Sequence, residues 1–495
     1  MPFLSLVLKR FSLIFIVFLL VSSCREEEGE LKTNEAPETT FSIEEFNLSG
    51  DDRLNSIVRL SWYGKDPDGY VVAFELSKDG VNWERTNQQD STFQFPLDGG
   101  TDTADIQLYV RAIDNLGLAD ASPDFVSIPI KNTPPKIAFD DELTVADTAF
   151  IAATTEWDAS DLDGNETITE VQISVNGKAW FSISQTKKIF TLVPVDPTVS
   201  DTVSARIYYD TDENPASGLV EGLVVNDTNK IYIRAIDQAG TVSELDTSTT
   251  FYLKGKVNDV LVVSGVSGAL NRAYARALDS AQIPIQYDYL SLLASNGIYR
   301  PKLWNVTFKL ALTSYDKLFF YSNEDTYLNS YTNISNLLLE FAAPSLQAFA
   351  NQGGKYFIST AFGSQVVIDG FVGLLPISSK ASVNTTNAFL MRDSSLVAQL
   401  PNFPDIVNTQ FAVPSIGVFN IDSADTEVLY TAEITEGIAF PPPGTPWTDT
   451  RIIASGRRVN GKLNQVFFAC ELYDLRPSNQ QLSALFHQVF NEEFD

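Results

Sequence analysis

Histidine and cysteine are nearly absent from these 495 residues: there is one histidine, His487, and two cysteines, Cys24 and Cys470. A Ser-His or Cys-His machine needs a base beside its nucleophile, and one histidine near the C-terminus is a poor supply. Zinc sites built from several His or Cys ligands are excluded by count. Basic residues are scarce too, with 34 Lys and Arg against 63 Asp and Glu and a formal net charge of −29. Charge of that sign draws the chain neither to nucleic acid nor to anionic lipid. Apolar residues are plentiful at 44%, enough in a chain of this length to bury several cores, and the size prior is two to four domains.

The one long apolar run lies at the start. Lys9 and Arg10 precede Phe11–Val21, and Ser22 and Ser23 lead to Cys24. Basic, apolar, small is the order of a secretory signal, and the run is too short to cross a bilayer comfortably. Leu20-Val21-Ser22-Ser23-Cys24 resembles the bacterial lipobox. The resemblance implies cleavage after residue 23, a diacylglycerol on the Cys24 thiol, acylation of the new amino group and a membrane anchor of several chains. An acylated Cys24 leaves Cys470 without a disulfide partner. Arg25-Glu26-Glu27-Glu28-Gly29-Glu30 and the polar residues to about 40 are expected to form a flexible tether. The acidic cluster is similar to the surface-export signal of Bacteroidota-type lipoproteins, which implies the outer face of the outer membrane; a plain solvated spacer is the alternative.

A pattern then occurs twice. Trp62 is followed at +4, +6 and +7 by Asp66, Asp68 and Gly69, and Trp157 by Asp161, Asp163 and Gly164. Tyr109-Val-Arg111-Ala-Ile-Asp114-Asn-Leu-Gly117 matches Tyr232-Ile-Arg234-Ala-Ile-Asp237-Gln-Ala-Gly240, with Trp83 and Trp180 between the landmarks. Four landmarks in one order indicate a duplicated domain. Period-two alternation in Val58–Trp62, Ile106–Ala112 and Val171–Val175, with Asp-Gly and Asn-Gly turns, predicts strands and tight hairpins. The second copy is longer, and its extra residues are expected in a polar excursion around 196–228. The landmarks resemble fibronectin type III and related Ig-like modules, implying two β-sandwiches over 41–132 and 133–255, separated by Asn132-Thr-Pro-Pro135. The tyrosine that often stands six residues before the late-strand alanine is Ile106 in one copy and Asn229 in the other.

The aspartate clusters raise the question of a cation. Asp161, Asp163 and Asn165 stand where the first three ligands of an EF-hand loop stand, but Gly164 falls at position 4 and Gln172 at position 12. Asp66 and Asp68 have fewer neighbours still. Turn chemistry accounts for these residues without a metal, so no cofactor is expected and calcium is the alternative.

From Val257 the pattern reads strand, helix, strand. Asp259–Val263, a strand beginning near Ile283-Pro-Ile285, Lys317–Tyr321, Lys355–Ser359 and Gln465–Ala469 are predicted strands. Leu270–Gln282, Asn336–Ala350 and a final helix opened by Ser478 and Gln481 are predicted helices. The alternation predicts a doubly wound α/β sheet over 256–495. Tyr315–Tyr321, Gly353–Ile358 and Phe467–Glu471 are similar to flavodoxin-like, class I glutamine-amidotransferase-like domains. That family's working members carry a Cys nucleophile after the fourth strand and His-x-Glu after the late one. Here the places read Ile358-Ser359-Thr360-Ala361 and Ala469-Cys470-Glu471, so the resemblance implies a domain without the catalytic Cys and His in which Glu471 persists.

Ligands of open α/β sheets bind at the carboxyl ends of the strands, which predicts Ser264, Asp288, Asn323, Glu324 and Ser359 as lining residues. Cys470 reads as a buried core thiol. The favoured function is a lipid-anchored envelope protein, on the surface rather than facing the periplasm, that binds a glycan, peptide or partner protein without catalysis. The alternatives are an extracytoplasmic hydrolase using carboxylates or Ser359, and a structural component of envelope assembly.

Overall fold

The computed structural model describes residues 33–42, 53–95, 97, 101–141, 143–266, 268–293, 304–323, 326–329, 332–361, 370–380, 388–414, 416–422, 424–436 and 445–495. Cys24, its leader and most of the tether lie outside the described residues, as does Glu324. The chain divides into two compact units, Met1–Asn132 and Thr133–Asp495.

In the first unit β1 (Glu38–Phe41), β2 (Ile57–Lys65), β3 (Val71–Ser77), β4 (Glu84–Thr86), β5 (Asp90–Gln94), β6 (Thr103–Asp114) and β7 (Asp124–Lys131) form two sheets. One has the order β1-β2-β5; the other runs from the short strand Leu54–Asn55 through β7, β6 and β3 to β4. Alternation in β2 turns Val58, Leu60 and Trp62 inward. The Trp62 ring meets Phe41 and Phe74 edge-on, each at 6.4 Å, in a core closed from the other sheet by Leu108, Val110 and Ile128.

The second copy repeats the plan in β8 (Lys136–Phe139), β9 (Ala153–Ser160), β10 (Ile168–Val175), β11 (Phe181–Ile183), β12 (Ile189–Pro194), β13 (Thr202–Tyr209), β14 (Val220–Val224), β15 (Ile231–Asp237) and β16 (Asp246–Thr247). Its sheets are ordered β14-β13-β12-β9-β8 and β11-β10-β15-β16. The expected polar excursion is instead largely the hairpin β13–β14, because Ala205, Ile207, Val220 and Leu223 supply an apolar face that the core buries. Asn229 stands in for the corner tyrosine. Buried to 1% exposure, its side chain bonds both the N–H and C=O of Val224 and receives the Asn176 amide.

The C-terminal part is built on one nine-stranded sheet. Its strands are β17 (Val260–Gly265), β18 (Tyr287–Ser291), β19 (Lys317–Ser322), β20 (Lys355–Thr360), β21 (Ser395–Ala398), β22 (Ile406–Val407), β23 (Thr426–Ala432), β24 (Ile452–Val459) and β25 (Lys462–Phe468), in the order β18-β17-β19-β20-β25-β24-β23-β21-β22. The five from β18 to β25 pair in parallel, and the others extend the sheet antiparallel. Parallel strands covered on both faces must be apolar throughout, and every residue of β17 is buried.

Helices are fewer than a doubly wound sheet requires: α1 (Gly268–Asp279), α2 (Lys309–Leu312, entered from the π turn Trp304–Phe308), α3 (Leu338–Asn351) and α4 (Asn479–Phe486, continuing as the π turn His487–Glu493). Between Asn351 and Asn479 no α-helix occurs among the described residues. There the chain forms short strands and is broken by Pro401, Pro404 and Pro414, which stop helices. The expectation of strict strand–helix alternation is corrected accordingly, and the protein is mostly β.

One face of the sheet buries Val262, Phe319, Phe357 and Phe468 under α1 and α4. The other buries Leu261, Phe320 and Ile358 under α3, and that core continues without a break into the second sandwich through Phe150, Ile151, Ile189 and Tyr208. Phe150 stacks on Tyr315 at 6.3 Å, and the Thr154 and Thr307 hydroxyls are 2.6 Å apart. The second sandwich and the C-terminal sheet are therefore a single packed body.

Candidate functional site

Three of the residues predicted to line a site are occupied by structure. Ser264 is fully buried and donates to Asn271 Oδ1 at 2.6 Å, tying the end of β17 to α1. Ser359 is equally buried; its hydroxyl donates to the Cys470 carbonyl and accepts from the Leu472 N–H, both at 3.1 Å. Asp288 is misplaced by the sequence reading. Its strand begins at Tyr287, not near Ile283, so Asp288 lies at the amino end of the sheet. There it accepts from the backbone N–H groups of Val257 and Asn258 and from the Tyr315 hydroxyl at 2.7 Å, clamping the entry to β17.

Asn323 does reach a cavity. At the carboxyl ends of β19, β20 and β25 a space of about 420 Å³ is walled by Asn323, Gln410, Glu471 and Asp474 on its polar side. Ala361, Ala412, Val413, Pro414 and Ile416 supply the apolar side, and Cys470 completes the wall. Among the described residues no Lys, Arg or His belongs to it. The size and the mix of apolar wall with few polar groups are those of a small-molecule site.

Glu471 is the unusual member. It is 1% exposed, and its Oε1 accepts from the Tyr274 hydroxyl, while Oε2 is buried without a hydrogen-bond partner. The Tyr473 N–H bonds the Tyr274 hydroxyl at 3.1 Å and the Asp474 N–H bonds the Glu471 carbonyl at 3.0 Å, and both amides also act on the carboxyl, favouring its charged form. Burial, with Asp474 adding like charge, pushes the carboxyl up to about 8. Burial likewise holds the Cys470 thiol well above its ordinary value. The Tyr274 ring stands 4.4 Å from that of Tyr321 and walls a second cavity of about 370 Å³, under α1, with Tyr287, Tyr289 and Arg272. Tyr274, Gln410 and Asp474 escaped the sequence reading. Tyr274 shows only as an apolar-face residue of a helix, and Gln410 and Asp474 belong to connections with no periodicity.

His487 lies at the end of α4 with Nε2 3.6 Å from Glu492, whereas the Ser359 hydroxyl is enclosed by Cys470 and Leu472.

The aspartate loops are turns. Asp66 Oδ1 accepts from the Asp68 N–H, and Asp68 Oδ2 from the Glu35 N–H. Asp161 Oδ1 accepts from the Asp163 N–H at 2.8 Å, Asn165 Oδ1 from the Asp161 N–H, and Asp163 Oδ2 from the Thr133 N–H. Among the described residues no group of three or more His, Cys, Asp or Glu is arranged to hold a metal ion. The later repeat also has a local cause: Gly117 and Gly240 take φ of 90° and 87°, closing the turns that Asp114 and Asp237 cap.

No family model matches the chain, and no curated protein matches it. Among solved structures it is similar to the fibronectin(III)-like modules of CbhA from Clostridium thermocellum, at 14% identity over 44% of this chain and 94% of that one, with a TM-score of 0.18. A two-domain fibronectin type III segment of chicken tenascin matches at 12% identity over 44% of this chain and 98% of that one, with a TM-score of 0.20. The PKD1 domain of Vibrio anguillarum Epp matches at 14% identity over 20% of this chain and 99% of that one, with a TM-score of 0.15. By their paired sheets and strand order, the two repeated modules of the chain are β-sandwiches.

Proposed function

We propose that the mature chain is a lipoprotein anchored at Cys24 to the outer membrane, facing outward, and that it binds a glycan, peptide or partner protein without turning it over. The observation that carries the binding half is the strand-end cavity, with the buried Glu471 among its lining residues and no histidine or lysine among its described residues to act as a base for the nearby Ser359. In the order of the strands, β18-β17-β19-β20-β25 corresponds to the 2-1-3-4-5 succession of flavodoxin-like sheets, which supports a kinship of the C-terminal sheet with amidotransferase-like domains. Ser359 and Glu471 then occupy the neighbourhood where that family keeps its machinery, and the Ser359 proton already goes to a backbone carbonyl. A hydrolase reading needs that proton released to a base instead. The reading calls for no resident cofactor.

The anchoring half rests on the lipobox-like run. Labelled palmitate is incorporated by the wild type and not by Cys24→Ala. Protease shaving of intact cells removes the C-terminal domain while a periplasmic control survives. A domain protected until the outer membrane is broken sends the protein to a periplasmic role.

A further inference from the structure

The two sandwiches follow one plan, yet among the described residues one sheet of the first has three strands where its counterpart has five. β1-β2-β5 answers to β8-β9-β12, and the second copy continues past β12 into β13 and β14. The correspondence holds residue by residue. The Trp62 N–H bonds the Gln89 carbonyl as Trp157 bonds that of Lys188, and Val58 faces Phe93 as Ala153 faces Leu192, so Thr92 answers to Thr191. In the second copy Thr191 and Leu192 pair with Tyr208 and Ile207 of β13. Ala205, Ile207, Val220 and Leu223 of the added hairpin are fully buried in one core with Leu192 and Ile173. The pairing of Glu75 with Arg111 and of Gln172 with Arg234 makes Leu76 the counterpart of Ile173. In the first copy Leu76 and Phe93 are only half-buried, and with Trp83 and Leu108 they wall a cavity of about 340 Å³.

The backbone beside that cavity is open. The Phe95 N–H bonds the Ser56 carbonyl, which fixes the phase of the β2–β5 ladder and turns the N–H and C=O groups of Thr92 and Gln94 away from β2. Asp90, the one charged residue of β5, is held by Arg59, and neither charge nor proline blunts the edge from Ser91 to Gln94. We infer that β5 of the first sandwich takes an extended segment of a partner protein as an added antiparallel strand. Alternate side chains of that segment enter the cavity beside Leu76 and Phe93, as Ile207 enters the second core beside Leu192. The occupant shares the chemistry of β13: small or branched apolar residues at period two, with polar ones between. This surface is separate from the strand-end cavity and does not depend on it.

The probe is a fluorescein-labelled peptide of the chain's own β13, Thr202–Tyr209, titrated into the mature chain and followed by anisotropy. Saturable binding is expected, weakened tenfold or more by Ile207→Lys in the peptide and by Thr92→Pro in the protein. Proline fits an edge position whose N–H faces outward, so the variant is expected to keep the unliganded melt of the wild type. Should it melt lower, amide exchange of the wild type decides instead: bound peptide slows exchange over residues 89–95. No saturable binding up to about 1 mM peptide overturns the inference. So do equal affinities for the two peptides, equal affinities of wild type and a well-folded Thr92→Pro, or exchange over 89–95 that the peptide leaves unchanged. A dimer of the chain that Thr92→Pro abolishes, with no peptide bound, also overturns it and makes a second copy the occupant.

Discussion

The Tyr274 hydroxyl donates to Glu471 Oε1 across 197 positions of sequence, joining α1 to the end of β25. This bond leaves Glu471 half satisfied, and the consequence for stability has a definite sign. The carboxyl titrates near 8 in the folded chain against an ordinary value of 4.5, so the folded state holds a proton that the unfolded state has lost between those limits. Stability then falls as pH rises through that window, by up to about 1.4 kcal/mol per unit, and flattens above it. In Glu471→Gln this component disappears. Urea unfolding of both proteins from pH 5 to pH 9 is expected to show the variant gaining on the wild type as pH rises; parallel curves contradict the assignment.

Cys470 follows the same physics. The thiolate is the reactive form, and burial keeps this thiol protonated and enclosed at 4% exposure. Alkylation of the folded protein by a maleimide is expected to be slower than that of the denatured chain by orders of magnitude. Fast labelling under native conditions contradicts the packing of the β25 end.

In both sandwiches an arginine lies over a tryptophan: Arg111 over Trp83 and Arg234 over Trp180, each 4.1 Å from the ring centroid. The cross-strand neighbour fixes each guanidinium, Glu75 at 2.6 Å for Arg111 and Gln172 at 2.8 Å for Arg234. A half-exposed pair of this kind is worth about 0.5–1 kcal/mol. A double-mutant cycle over Arg111→Ala and Trp83→Ala is expected to return a coupling of that size, and the cycle at Arg234 and Trp180 a similar one. Additive cycles contradict it.

Division into two compact units predicts two calorimetric transitions. Trp62→Ala removes a fully buried ring and is expected to lower one transition, with a loss of about 3–5 kcal/mol, leaving the other in place. Trp157→Ala and Phe150→Ala both lower the second, because the second sandwich shares its core with the C-terminal sheet. A third transition moved by Trp157→Ala alone contradicts the shared core.

Much of this was legible in the residues. The Trp, Asp-x-Asp-Gly and Arg-Ala-Ile-Asp landmarks recur because each answers a local need, whether for a core ring, a turn or a stacked arginine on a paired strand. The capping box at Ser478 and Gln481 is present with both reciprocal bonds. The apolar runs of β17, β19 and β20 read directly because strands buried on both faces tolerate nothing else. Less legible was the region from 361 to 451, where short strands without strong periodicity give no local signal and tertiary pairing decides. Asp288 was misassigned because the strand begins at Tyr287, four residues after Ile283, which moves Asp288 from the carboxyl end of the sheet to its amino end. Gln410 and Asp474 join the cavity through long-range packing that no spacing records.

Whether the strand-end cavity captures the ligand is tested most directly by a thermal-shift screen of the mature chain and its Gln410→Trp variant against glycan fragments, short peptides and primary amines. At least one class is expected to raise the melting temperature of the wild type by several degrees, and the tryptophan, by filling the cavity, to abolish the gain without altering the unliganded melt. A ligand that stabilises both proteins equally, or a substrate consumed equally by both, contradicts the assignment.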